Sequence, residues 1–244
     1  MRTIFLFILQ TFFIQSFGQT LKDCSSCSTE IIKAEQIKDL SIDEIRFLTN
    51  DLFARKGYKF KDSDIDNYYS IKTWYKPLQD NNIIEYNSTE KQNIKLFQER
   101  TKELKSDREK LIKNLNLFKI AFIQNDEKTL ESKFKFSAKK ILGDKDNESY
   151  KYFYEVLNNI NIDEVGWFKK QAHYKKRIDN LSETYSYELI IESNNIYFRY
   201  DFDSGSEEIK DEIYPSDASV EFTYFWNFEY LNDQLKFIDF GVAG

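Results

Sequence analysis

The sequence predicts an α+β protein, a small all-helical N-terminal module followed by an α+β domain in which helices pack on a curved antiparallel sheet. Two patterns carry that expectation. Capped segments with apolar residues at three- and four-residue steps fill the first half of the chain. Alternation of aromatic and polar residues fills its closing part, from about Tyr185 onward. A third observation joins them: the 244 residues hold only seven glycines and two prolines, so no flexible linker separates the two parts. With 41% hydrophobic and 17% aromatic residues a core is readily built, and a net charge of −6 gives no basic footprint for nucleic acid.

Residues 1–18 read as a signal peptide: Arg2, an apolar run from Ile4 to Phe13, then Ser16, Phe17 and Gly18, with cleavage expected after Gly18. Gln10 and Gln15 interrupt the run, which disfavours a membrane span, so no transmembrane segment is expected once the signal is removed. The chain is therefore expected to be secreted or periplasmic. Residues 19–37 form a polar leader carrying Cys24-Ser25-Ser26-Cys27. In an oxidising compartment the two cysteines are a disulfide candidate or a spectator pair. Thiol exchange would want the pair at a helix start after a strand, and a metal site would want two more ligands in a chain with one histidine.

Residues 38–105 are predicted as the helical module. Ser41 is an N-cap with Glu44 closing a capping box and Leu40 set to staple against Ile45. Ile45, Leu48 and Leu52 make the apolar stripe. Gly57 then stops the helix, after Arg55 and Lys56 have placed positive charge at its C-terminal end. A short helix over Asp62 to Tyr69, an extended piece through Trp74, Tyr75 and Pro77, and a helix from Asn87 or Ser88 through Phe97 and Leu104 complete it. Ser106-Asp107-Arg108-Glu109 reads as a further capping box, placing the domain boundary near Ser106; one continuous helix from Ser88 to Gln124 is the competing reading.

Residues 106–244 are predicted as the α+β domain. Leu111, Leu115, Phe118 and Phe122 mark its first helix, and Tyr150, Phe153, Tyr154 and Leu157 another. Tyr185 to Ile191, Ile196 to Phe202 and Val220 to Phe228 alternate as strands, and Asn232-Asp233 is a two-residue hairpin turn into Leu235, Phe237 and Asp239. That register sets Trp226 opposite Asp239 and aims the carboxylate at the aromatic face, making Tyr200, Trp226 and Asp239 the pocket candidates. His173 sits in a basic stretch, Lys169 to Arg177, expected as a solvated surface. Asp201 to Glu208 gathers oxygens around a turn but lacks EF-hand spacing, so no metal is expected. No glycine-rich phosphate loop and no nucleophile signature occur, hence no cofactor and no catalytic residue are assigned.

Phe53-Ala54-Arg55-Lys56-Gly57, followed in order by Phe60-Lys61-Asp62, Tyr68-Tyr69, Trp74-Tyr75-Lys76-Pro77 and Glu90 to Ile94, resembles the YARHG domain, a small, presumed extracellular bacterial module. Phe53 and Lys56 stand where the family's motif has Tyr and His, so any role of that phenol or imidazole is absent. Element order over residues 108–244 is similar to the cone-shaped nuclear-transport-factor-like domains. The YARHG-like module carries no settled chemistry; the residues themselves are read as those of a non-catalytic binding or envelope-associated protein, with Arg55, Trp74 and Tyr75 as ligand-binding candidates and an envelope glycan, peptide or protein as partner. The rival readings are a hydrolase-like enzyme with its pocket in the second domain, and a protein-interaction adaptor.

Overall fold

The computed structural model describes residues 20–180, 183–204 and 221–244. The signal segment, Val220 and positions 205–208 of the acidic turn lie outside the described residues. The chain divides into two compact units: residues up to Leu40 with Ile45–Phe97, and Ser41–Glu44 with Gln98–Gly244. Helices precede a six-stranded antiparallel sheet, so the class is α+β.

In the first unit, α1 (Ile42–Arg55) begins as its cap predicts. The Ser41 amide donates to Glu44 Oε2 at 2.9 Å and Ser41 Oγ accepts from the Glu44 amide at 3.3 Å. Ile45, Leu48 and Leu52 are buried. The helix closes in a Schellman motif, Tyr58 N–H to Phe53 O at 3.0 Å and Gly57 N–H to Ala54 O at 2.9 Å, with Gly57 at φ +79°. A Cβ on Gly57 would stand 2.9 Å from the Lys76 carbonyl oxygen, so both backbone angle and space require glycine. Asp62 caps α2 (Ser63–Ser70), accepting from the Asp64 and Ile65 amides.

The segment expected as a free polar leader is part of this unit. Leu21 N–H donates to Gln36 O at 3.1 Å, and Cys24, Cys27, Ile32 and Ile37 are all buried. Its anchor is Asn93, wholly buried on α3 (Ser88–Ile123): Oδ1 accepts from the Ile32 amide at 2.8 Å, while Nδ2 donates to Cys27 O at 2.9 Å and Glu30 O at 2.8 Å. One side-chain amide thus satisfies three backbone groups of an otherwise irregular segment.

The capping-box pattern at Ser106 starts no helix. α3 runs unbroken through it from a real box at its N-terminus, where Asn87 and Glu90 exchange bonds of 2.8 Å each way. Continuous i to i−4 bonding already satisfies the Ser106 region, so a cap there has no open amides to serve.

In the second unit, α3 ends at Ile123 with Asn125 at φ 56° just beyond it, and α4 (Glu127–Phe134), α5 (Ala138–Leu142) and α6 (Glu148–Asn159) follow. The sheet is a meander of β1 (Gly166–Phe168), β2 (Gln171–Asp179), β3 (Thr184–Glu192), β4 (Asn195–Asp203), β5 (Glu221–Leu231) and β6 (Gln234–Ala243), each paired with the next. α6 packs on β3 and β4, and α4 on β6. Leu115, Phe118, Phe134, Phe153, Leu189, Phe198 and Phe228 are among the fully enclosed side chains. On α6, Val156 takes the core position and Tyr154 is 42% exposed, because Phe153, Val156 and Leu157 already fill the stripe.

Two strands escape the sequence pattern. β1 is three residues long, and β2 is the basic stretch around His173, whose Ala172, Tyr174 and Ile178 face the core while charged side chains fill the other face. β1 pairs only with Gln171–His173, leaving Tyr174–Asp179 unpaired on that side among the described residues. The last hairpin turns at Asn232 and Asp233, both at positive φ, and pairs Tyr230 with Leu235 and Phe228 with Phe237 as expected. A bulge then intervenes, setting Trp226 opposite Phe240 and Asn227 opposite Asp239. One extra residue reverses the facing of the remainder of β6, so Asp239 leaves the aromatic face.

Candidate functional site

The last turn of α1 carries the site. Arg55 lies one helical turn after Asp51, and its Nε donates to Asp51 Oδ2 at 2.9 Å. The same oxygen accepts the Cys24 amide at 2.7 Å, and Asp51 is 3% exposed. Asp51 therefore joins the disulfide-closed turn of Cys24 and Cys27 to the guanidinium. Arg55 Nη2 is 3.9 Å from Asp23 Oδ1, and hydrogen bonds from Ser25, aided by Arg55, hold the Asp23 carboxyl below its ordinary range. Locked this way, the guanidinium carbon stands 4.4 Å over the Trp74 ring, a cation–π contact that leaves nitrogen donors at the indole's edge.

Trp74 is 39% exposed, and Tyr68 on α2 is similarly open with the Lys72 ammonium 4.6 Å from its ring. Both touch the buried Tyr69, edge-on, at 6.0 and 5.0 Å. The Tyr69 hydroxyl has no hydrogen-bond partner among the described residues, and burial pushes its pKa well up, keeping it protonated. Ile71 is largely exposed one turn after Tyr68. The surface is thus a patch of open Tyr68, Ile71 and Trp74 bordered by Arg55 and Lys72.

Tyr75 is not part of that surface. It is 7% exposed and donates its hydroxyl to Tyr58 O at 2.9 Å, tying the segment after α2 to the one after α1. Lys56, standing where the family motif has a histidine, reaches the buried Glu90 carboxylate at 3.4 Å, which is a structural tie between α1 and α3. The hub residues Asp51 and Asn93 were missed from the sequence. Asp51's position four before Arg55 was the available signal, whereas nothing local marks Asn93.

The pocket candidates of the second unit do not converge. Tyr200 is 2% exposed, stacked on Tyr152 at 4.4 Å, and burial together with Glu155 holds its hydroxyl protonated. Trp226 is fully enclosed against Phe153 at 4.5 Å. Asp239 is solvent-exposed and accepts from Asn227 Nδ2. The expected wet pocket is therefore closed by rings, with its carboxylate on the opposite face.

That opposite face carries the His173 pair instead. His173 Nε2 is 3.0 Å from Glu188 Oε2, and Lys175 Nζ is 2.6 Å from Oε1. Burial raises the Glu188 carboxyl, but the bonds from Lys175 and His173 outweigh it and leave the group below its ordinary value. The buried Ser186 hydroxyl also reaches Glu188 Oε1 at 3.5 Å, but its shorter bond, 2.9 Å, goes to Asp201 Oδ2. No group of three or more His, Cys, Asp or Glu among the described residues is placed to hold a metal, and no helix among them is long and apolar enough to cross a membrane.

No curated protein and no solved structure matches this chain. Residues 23–102, which span the leader, the Arg55–Trp74 surface and the first turns of α3, match the YARHG domain.

Proposed function

We propose that this chain is a secreted or periplasmic, non-catalytic binding protein whose helical unit engages a bacterial envelope component through the Arg55–Trp74–Tyr68 patch. The observation that carries the reading is the pre-set Arg55: a guanidinium ordered by a buried carboxylate and laid on a partly open indole costs little entropy on binding. A peptide or protein partner fits better than a glycan. One face of Trp74 is already covered by Arg55, and the nearest ring, Tyr69, meets it at 62° rather than in a plane a sugar ring would lie on. The export reading is supported by the Cys24–Cys27 disulfide and by the signal pattern of residues 1–18. For the second unit we infer a nuclear-transport-factor-like relation from helices followed by a long antiparallel meander.

The test is retention of the full chain on an envelope fraction, comparing wild type with Trp74→Ala and Arg55→Ala. Loss of retention in both variants, with unchanged circular dichroism, is expected. Equal retention of all three would remove this surface from the function.

A further inference from the structure

A groove of about 670 Å³ runs along α3 in the second unit, lined by Arg108, Ile112, Leu117, Ile120 and Trp167. Its volume falls in the range of small-molecule sites, about 300–1,000 Å³. From Arg108 to Ile120 is twelve residues of helix, about 18 Å at 1.5 Å per residue.

The two ends differ in chemistry. At one end Arg108 lies 4.3 Å over the Trp167 ring and donates Nη2 to Lys169 O at 2.6 Å. It forms no ion pair with a carboxylate among the described residues; partial burial lowers its pKa and the Asp43 carboxylate offsets part of that effect. The far end is Ile120, half exposed. Between them the floor is Ile112, Leu117 and the indole. The remaining charges on the lining are accounted for: Glu109 and Lys113 are opposite in sign and solvated, and Asp163 accepts from Asn116 Nδ2 at 2.9 Å.

We propose that this groove binds a single-chain anionic amphiphile, a fatty-acid carboxylate whose head pairs with Arg108 and whose chain lies along Ile112, Leu117 and Ile120. A half-buried guanidinium with no carboxylate in direct contact among the described residues gains by pairing with an anion, since pairing offsets its desolvation. An open aliphatic floor beside it gains by being covered. The inference is independent of the Arg55–Trp74 surface, which lies in the other unit.

Calorimetric titration of the full chain with dodecanoate, below its micellar concentration, tests it beside dodecyltrimethylammonium and acetate. Dodecanoate should saturate one site, and neither comparison compound should. Ile120→Glu, at an exposed position that leaves folding intact, should weaken dodecanoate about tenfold or more by setting a charge against the chain. Arg108→Gln should weaken it about tenfold by removing the head contact. Should Arg108→Gln fail to fold, Ile120→Glu decides alone. Equal binding of the cationic amphiphile, or unchanged affinity in Ile120→Glu, would overturn the assignment. So would absence of dodecanoate binding together with self-association that Ile120→Glu abolishes, which would give the groove to a second copy of the chain.

Discussion

Asp51→Ala is the sharpest test of how the first unit is held together. Two donors end on one buried oxygen, the Cys24 amide at 2.7 Å and Arg55 Nε at 2.9 Å. Removing the acceptor strands the Cys24 amide in the interior, which costs about 1–3 kcal/mol. The Arg55 contact is discounted because that side chain is 30% exposed, leaving about 1 kcal/mol from it. The sum is about 3 kcal/mol, a sizeable fraction of the 5–15 kcal/mol that holds a typical domain. Asp51→Asn keeps an acceptor for the amide and should lose only about 1 kcal/mol. Urea titration by circular dichroism reads the total. Hydrogen exchange of the Cys24–Glu30 peptide reads the local effect, with protection falling strongly in the alanine variant and weakly in the asparagine one. If Asp51→Ala stays within about 0.5 kcal/mol of wild type, or if the two variants lose equally, Asp51 is not the tie described.

Gly57→Ala should destabilise the first unit by about 2 kcal/mol, since an L-residue at φ +79° and a Cβ 2.9 Å from the Lys76 carbonyl oppose it together; an unchanged urea midpoint would contradict the Schellman geometry. Glu188 has a lowered folded-state pKa, so its contribution is present above the ordinary glutamate value and fades as pH falls through the lower folded one. An acid titration of stability followed in Glu188→Gln should accordingly lose part of its slope below about pH 4.5, and identical slopes would show that the His173–Lys175 pairing contributes nothing. Trp226→Ala should cost about 3–5 kcal/mol as a core truncation, whereas Asp239→Asn should change stability by less than about 0.5 kcal/mol; comparable losses in thermal unfolding would argue that the bulge does not put the two on opposite faces.

What was legible in the sequence is what local chemistry determines. The Ser41–Glu44 box, the Gly57 stop, the short helix after Asp62 and the Asn232-Asp233 turn each involve residues within a few positions, and each is found. The register was legible only up to the bulge: pairing counted back from the turn holds through Phe228 and Phe237, then one inserted residue sends Asp239 to solvent. The order of the leader was not legible because it comes from Asn93, more than sixty residues away, rather than from any pattern of its own. β2 was invisible for a related reason. Its Lys175 faces Glu188 across the sheet, and charges satisfied by a neighbouring strand look like ordinary surface in one dimension. Arg55 and Trp74 were legible as ligand candidates, but the lock on Arg55, a carboxylate shared with the disulfide turn, depends on tertiary closure.

The short β1 has a consequence for solubility. Because it shields only three residues of β2, the outward-facing amides and carbonyls between Tyr174 and Asp179 have no strand partner among the described residues and are open to another extended chain. Lys175, Lys176 and Arg177 occupy the middle of that open rim, and two molecules approaching rim to rim would bring six cations together. The polarity that hid this strand from pattern reading is thereby a guard against fibril growth, and neutralising those three side chains would convert a well-behaved edge into a template.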